Sequence, residues 1–118
     1  SFASFIQVNF DKSIMMNSNL AFGTFSESSF VRTNLYESTL TGGNFELSNF
    51  TSANLTRVDF MGSTLIEVNF QNSNLMGANF TSSNILNANF DGANLTGATW
   101  TNGEICGPES IGTCNKAN

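Results

Sequence analysis

A large apolar residue recurs at every fifth position over most of the chain, and this period constrains the fold more than any other feature. A period of five matches neither the 3.6 residues of an α-helix turn nor the two-residue alternation of a flat strand. The backbone must therefore turn once in every five residues, which predicts a repeat architecture. The series is Phe5, Phe10, Met15, Leu20, Phe25, Phe30, Leu35, Leu40, Phe45, Phe50, Leu55, Phe60, Leu65, Phe70, Leu75, Phe80, Ile85, Phe90, Leu95 and Trp100.

The residues around each apolar centre follow the same period. Two positions before the centre the side chain is small or β-branched, as at Ala78, Ser83 and Ala88. Only a small side chain can share the interior with a Phe or Leu so close by. Asn stands directly before the centre in twelve of the twenty units. The two positions after the centre are polar, Gly or charged in most units, and we interpret them as outward corners because Asn, Gly and Ser favour turns.

The apolar series sorts by residue type when it is arranged in four columns. Every twentieth residue from Phe10 to Phe90 is Phe, and the column from Met15 to Leu95 holds Met and then Leu. This sorting predicts a square coil of twenty residues in which each residue lies above the one twenty positions earlier. Five such coils, stacked at the spacing of about 4.8 Å between strands, would form a rod about 24 Å long.

Several units resemble the Ala-(Asp/Asn)-(Leu/Phe)-X-X pattern of the pentapeptide-repeat family. Residues 53–55, 78–80 and 93–95 read Ala-Asn-Leu, Ala-Asn-Phe and Ala-Asn-Leu. The resemblance covers residues 1–105 and implies an all-β fold, a right-handed quadrilateral β-helix of about five coils. The departures are few, chiefly Ile14 at an Asn position and Gly at Ala positions 23 and 43. We expect them to weaken individual ladders without changing the fold.

The period stops after Trp100, and the sequence that follows predicts a different structure. Gly and Pro punctuate it, and Cys106 and Cys114 stand eight positions apart. We interpret residues 106–118 as a capping loop and tail that a Cys106–Cys114 disulfide closes; two reduced thiols in a cytoplasmic tail are the alternative. The ending is similar to that of some bacterial pentapeptide-repeat proteins. Because disulfides persist in oxidising compartments, the pair favours a periplasmic, extracellular or lumenal location.

The composition excludes several classes of function. A formal net charge of −5 and only four Lys and Arg residues predict binding to neither nucleic acid nor an anionic membrane. No apolar run approaches the roughly 20 residues that span a bilayer, so we expect no membrane insertion. No signal peptide is recognisable, and the start at Ser1 leaves a removed leader open.

The sequence also lacks the parts of the common active sites. It has no histidine, no Gly-rich phosphate loop, no Ser nucleophile elbow and no zinc-ligand spacing. We therefore expect no enzyme activity, no catalytic residue, no cofactor and no metal. A rigid scaffold or protein-interaction module is the function that remains.

The column arrangement gathers apolar and acidic residues at the corner that follows Phe5, and we predict a protein-binding patch there. An ordinary solvated surface is the alternative. The predicted patch consists of Ile6, Glu27, Glu46, Leu47, Ile66, Glu67 and Leu86.

Two further hypotheses concern partners. Some pentapeptide-repeat proteins inhibit DNA gyrase by mimicking DNA, and inhibition or modulation of gyrase or topoisomerase is the second functional hypothesis. It requires dense acidic rows, whereas here the carboxylates are sparse and Arg57 stacks in the column of Glu37. At the N-terminus the repeat runs from Ala3 without a visible cap. That coil edge is therefore covered by a removed segment or pairs with a second copy in a homodimer.

Overall fold

The computed structural model describes residues 4–116. The chain winds into five stacked coils of twenty residues, and each coil has four short sides. The residue before each apolar centre forms a parallel bridge with the residue twenty positions later, in a series from Ser4↔Thr24 to Asn79↔Thr99. These bridges are isolated, and neither an α-helix nor a longer strand occurs between residues 4 and 116. The twenty-residue square coil predicted from the columns is confirmed.

The four sides are named here by their apolar centres. Side A carries Phe5, Phe25, Phe45, Leu65 and Ile85, and side B carries Phe10, Phe30, Phe50, Phe70 and Phe90. Side C carries Met15, Leu35, Leu55, Leu75 and Leu95, and side D carries Leu20, Leu40, Phe60, Phe80 and Trp100.

Backbone hydrogen bonds join each inner coil to both of its neighbours. On side B, the N–H of Phe30 donates to the carbonyl of Asn49 at 2.7 Å. The N–H of Asn49 donates in turn to the carbonyl of Ser28 at 3.0 Å. The second residue of most corners has a positive φ, as at Arg32 with 58°. This left-handed residue turns the chain onto the next side.

The interior is filled by the apolar centres, which stack in columns. On side B the rings of Phe30 and Phe50 lie parallel with centroids 4.6 Å apart. Sides A and D exchange their aromatic residues halfway along the rod. Side A changes from Phe45 to Leu65, while side D changes from Leu40 to Phe60. The two changes compensate each other in volume, so that every coil keeps at least two aromatic rings.

Packing on side A explains why glycine replaces alanine at two positions of the repeat. A Cβ atom added to Gly23 would lie 2.5 Å from Cε2 of Phe25, and one added to Gly43 would lie 2.5 Å from Cε2 of Phe45. Where the centre becomes Leu65, the corresponding small residue is Ser63. These two departures from the repeat thus make room for aromatic rings.

The C-terminal residues fold back over the last coil on sides C and D. They form antiparallel bridges between Asn94 and Ile111 and between Thr99 and Ile105. The sulfur atoms of Cys106 and Cys114 lie at disulfide distance, 2.02 Å apart. This tail extends the rod beyond the fifth coil, and the longest dimension of the molecule is 41 Å.

Candidate protein-interaction surface

Each corner is held by a side-chain hydrogen bond from the Asn that precedes the apolar centre. The amide oxygen of Asn49, for example, accepts the N–H of Thr51 at 2.9 Å. All twelve Asn residues at this position make the same contact, and Asp59 makes it to Met61. This contact, an Asx-turn, satisfies one N–H of the corner without using the corner side chains. The corner side chains are therefore displayed on a fixed backbone and can vary in chemistry.

The corner that follows side A, called corner A, carries all seven residues of the predicted patch. Its ladder continues through the turns, since the N–H of Leu47 donates to the carbonyl of Ile66 at 3.0 Å. The N–H of Glu67 donates to the carbonyl of Leu86 at 2.8 Å. Leu47 is 49% exposed and Leu86 is 59% exposed, while Ile66 is half-buried between them. Ile66 and Leu86 thus lie one above the other, and Leu47 lies beside this column, directly over Glu67.

The structure divides the predicted patch into two parts. Ile6 is 56% exposed and lies in the first coil, two coils away from Glu46. The polar pair Ser26 and Glu27 occupies the coil between them. Glu27 accepts a hydrogen bond from the side-chain amide of Gln7 at 3.3 Å. The contiguous part, called the corner A patch below, consists of Glu46, Leu47, Ile66, Glu67 and Leu86.

The acidic groups of the corner A patch have no basic partner within residues 4–116. The two ion pairs of that segment lie elsewhere, between Arg57 and Glu37 at 3.3 Å and between Lys116 and Glu104 at 3.0 Å. Glu67 is exposed, and Glu46 is half-buried beside Leu47. The patch therefore interleaves apolar and acidic side chains over three coils.

The described part of the surface offers little to a small ligand. Residues 4–116 form no cavity and bring together no group of three His, Cys, Asp or Glu side chains that could hold a metal ion. No helix within these residues is long and apolar enough to cross a membrane.

The sequence interpretation missed a second apolar surface, at the first coil. Ile14 is 81% exposed, and Met16 and Phe22 are also exposed. The ring of Phe22 lies against Gly42, where an added Cβ would come within 2.5 Å of its Cε1 atom. The signal was present in the sequence, because Ile14 is the one apolar residue at a position that Asn, Asp, Ser or Thr otherwise occupies.

Stacked square coils with an apolar interior define a β-helical rod. Residues 28–65 and 59–97 match the family model for pentapeptide repeats, with eight copies. The two segments cover more than half of the chain, which therefore belongs to the pentapeptide-repeat family. No curated protein sequence matches the chain.

Solved structures of this family have the same fold. A pentapeptide-repeat protein from the cyanobacterium Cyanothece 51142 is 23% identical, with a TM-score of 0.64 over 80% of this chain and 75% of that one. HetL from Nostoc sp. strain PCC 7120, a protein involved in the regulation of heterocyst differentiation, is 19% identical with a TM-score of 0.60. The match covers 83% of this chain and only 48% of HetL.

A third similar structure is QnrB1, a plasmid-mediated fluoroquinolone resistance protein. It is 17% identical, with a TM-score of 0.57 over 84% of this chain and 64% of QnrB1. At these identities the likeness defines the fold alone, a right-handed quadrilateral β-helix. The fold class and the family implied by the five-residue repeat are both confirmed.

Proposed function

We propose that this chain is a non-catalytic protein-interaction module that binds a protein partner through the corner A patch. The observation that supports the proposal most directly is the cluster of Leu47, Ile66 and Leu86 at one corner of consecutive coils. Exposed apolar residues that are contiguous mark interaction sites, whereas scattered ones need no explanation. The fixed backbone of the corner supports the same view, because the backbone does not have to become ordered when a partner binds.

The chemistry of the patch describes the partner it would bind. An apolar surface on the partner would cover Leu47 and Leu86. Basic residues beside that surface would face Glu46 and Glu67, which lack an ion-pair partner within residues 4–116. Such complementary charges set orientation and association rate more than affinity. We therefore propose a partner whose binding surface combines apolar side chains with neighbouring Lys or Arg residues.

Paired variants would test this proposal. Leu47→Ser combined with Leu86→Ser removes the two exposed apolar side chains of the patch and leaves the core untouched. Met61→Ser combined with Met76→Ser is the matched control, since both Met residues are exposed at other corners. The wild-type chain and the control should capture the same proteins from the native source, and the patch variant should not capture them. Affinity for a partner so identified should fall at least tenfold with the patch variant, and equal binding by all three chains contradicts the proposal.

The second candidate function, inhibition or modulation of gyrase or topoisomerase by DNA mimicry, has weaker support. Corner A carries one carboxylate in each of three successive coils, Glu27, Glu46 and Glu67. Coils repeat at about 4.8 Å, whereas duplex DNA carries a charge for every ~1.7 Å of its axis. Elsewhere Glu37 is paired with Arg57. We expect the purified chain, at tens of micromolar, to leave the supercoiling activity of gyrase unchanged. Inhibition at that concentration would favour this candidate over the corner A patch.

We further propose that residues 106–118 act as a capping unit for the repeat domain of residues 1–105, and that the protein is exported. The disulfide distance between Cys106 and Cys114 supports both points, because such a bond persists in oxidising compartments. Thiol labelling of protein isolated from its native source should find neither cysteine reactive before reduction. Labelling of both residues would contradict export.

A further inference from the structure

The chain contains eighteen Asn residues, and Asn102 is the one that Gly follows. Asn is a chemically labile residue. The backbone nitrogen of the next residue can attack Cγ of the Asn side chain, and the ring that forms loses ammonia. Gly permits this attack best, because it has no Cβ atom and the widest choice of backbone conformation. The stability of each Asn therefore depends on the residue that follows it and on how firmly the fold holds that residue.

The repeat holds these attacking nitrogens in place. Most Asn residues precede an apolar centre, and in the inner coils that centre is buried and donates its N–H to the next coil. Phe50, for example, follows Asn49, is fully buried and makes this hydrogen bond at 2.7 Å. At a corner, Asn72 precedes Ser73, which is 2% exposed and donates its N–H to the carbonyl of Phe70 at 3.0 Å. Attack by either nitrogen would require a buried side chain to move.

Asn102 lies outside this protection, at the turn that leads from the last coil into the tail. Asn102 and Gly103 are both exposed, and a Cβ added to Gly103 would meet no atom beyond its chain neighbours within 4 Å. The N–H of Gly103 donates to the carbonyl of Trp100 at 3.0 Å, the same turn bond that Ser73 makes, but Gly103 has no side chain anchored in the interior. Oδ1 of Asn102 accepts the N–H of Glu104 at 3.1 Å, which holds the amide against the following backbone and polarises it.

We propose that Asn102 is a site of spontaneous covalent modification, deamidation through a cyclic imide. The backbone nitrogen of Gly103 loses its proton to water and bonds to Cγ of Asn102, and the side-chain nitrogen leaves as ammonia. Water then opens the imide at either carbonyl, which gives Asp or an isoaspartyl linkage. The net reaction consumes one water, releases one ammonia and adds one negative charge. It does not involve the corner A patch, so its failure would leave the proposed function standing.

The isoaspartyl product changes the connection between the last coil and the tail. The main chain of this product passes through the side chain of residue 102 and is one carbon longer. The N–H of Trp100 donates to the carbonyl of Glu104 across this connection at 2.7 Å, and Thr99 forms an antiparallel bridge with Ile105. A longer main chain no longer places Glu104 opposite Trp100, and the hydrogen bond weakens because its strength depends on distance and angle.

Peptide mapping of aged protein tests the site. The purified, oxidised chain is kept in mildly alkaline buffer for several weeks, and Asp and isoaspartyl peptides are then separated and quantified. Asn72 is the matched internal control, because it is exposed and the residue after it makes the same turn bond. Asn102 should convert at least tenfold faster than Asn72. Equal rates, or no isoaspartyl product at Asn102, would overturn the proposal.

The same measurement in urea tests the protection by the fold. Unfolding releases Ser73 from the interior, so the ratio of the two rates should fall. A ratio that urea leaves unchanged contradicts this protection.

Hydrogen exchange at the amide of Trp100 tests the consequence for the tail. The isoaspartyl form, separated by chromatography, should exchange this amide at least threefold faster than the unmodified chain. Asn102→Asp is the matched control, because it carries the same charge on a main chain of normal length, and its exchange should stay within twofold of wild type. Unchanged exchange in the isoaspartyl form, or equal acceleration in both forms, would overturn the effect of the longer main chain.

Discussion

The two ends of the rod are built from the same repeat but differ in how their edges are closed. At the C-terminal end a tail outside the repeat supplies carbonyls to Leu95, Gly97 and Trp100. In the first coil, the backbone groups of Asn9, Ile14 and Asn19 have no partner within residues 4–116. A solenoid repeat pairs each coil with the next and leaves its two ends open. Closure must therefore come from residues that do not follow the repeat.

The closure at the C-terminal end is itself partial. The tail covers sides C and D, where Leu95 is fully buried. On sides A and B the N–H groups of Ile85 and Phe90 have no partner within residues 4–116, and both side chains are partly exposed. The two ends differ most clearly along side C, where the side chain of Met15 is partly exposed and that of Leu95 is buried under the tail.

The largest expected effect comes from truncating the two end residues of side C. Leu95→Ala leaves a cavity under the tail and should lower the free energy of unfolding by about 3 kcal/mol. Met15→Ala should lower it by about 1 kcal/mol, because solvent already reaches Met15 and little cavity forms. Urea denaturation of the oxidised protein measures both. Equal losses would show that the two ends are equally well packed.

Removing the cysteine pair tests what holds the tail in place. Cys106→Ala combined with Cys114→Ala should lower the free energy of unfolding by about 2 kcal/mol, because the short loop is no longer closed covalently. Hydrogen exchange at Leu95 and Gly97 should become faster, since the tail protects both amides. The amide of Leu55, in the middle of side C, serves as the internal control. Unchanged exchange at Leu95 would mean that the tail is held by its hydrogen bonds alone.

A smaller effect is expected from one buried hydroxyl of the tail. Ser110 is fully buried; its hydroxyl donates to the carbonyl of Gly107 and accepts the N–H of Asn115 at 3.0 Å. Ser110→Ala should cost about 1 kcal/mol, because that N–H loses its acceptor. Ser13, at the open end, makes no side-chain hydrogen bond within residues 4–116, so Ser13→Ala should change stability by less than about 0.5 kcal/mol. Thermal unfolding of both variants against wild type checks the difference, and a larger loss for Ser13→Ala would contradict it.

Much of the fold could be predicted from the sequence because the interior is periodic. The apolar centres, the small residues before them and the twenty-residue coil all follow from residue type and spacing. The candidate surface was predicted less completely. The column arrangement placed Leu47, Ile66 and Leu86 at one corner, but the predicted patch also included Ile6, which Ser26 and Glu27 separate from them. The exposed surface around Ile14 was missed, because a departure from the repeat was interpreted only as a weakened ladder.

The sequence by itself determined the architecture. An apolar side chain at every fifth position must be buried in one common interior, and this requires the backbone to turn once in every five residues. The tertiary structure decided which departures from the period matter. Gly23 and Gly43 accommodate neighbouring rings, and the tail covers two sides of the last coil. The first coil keeps an edge of unpaired backbone groups within residues 4–116. The physical reason is that the period specifies contacts between equivalent coils. The contacts of residues that do not follow the period depend on where the tertiary structure places them.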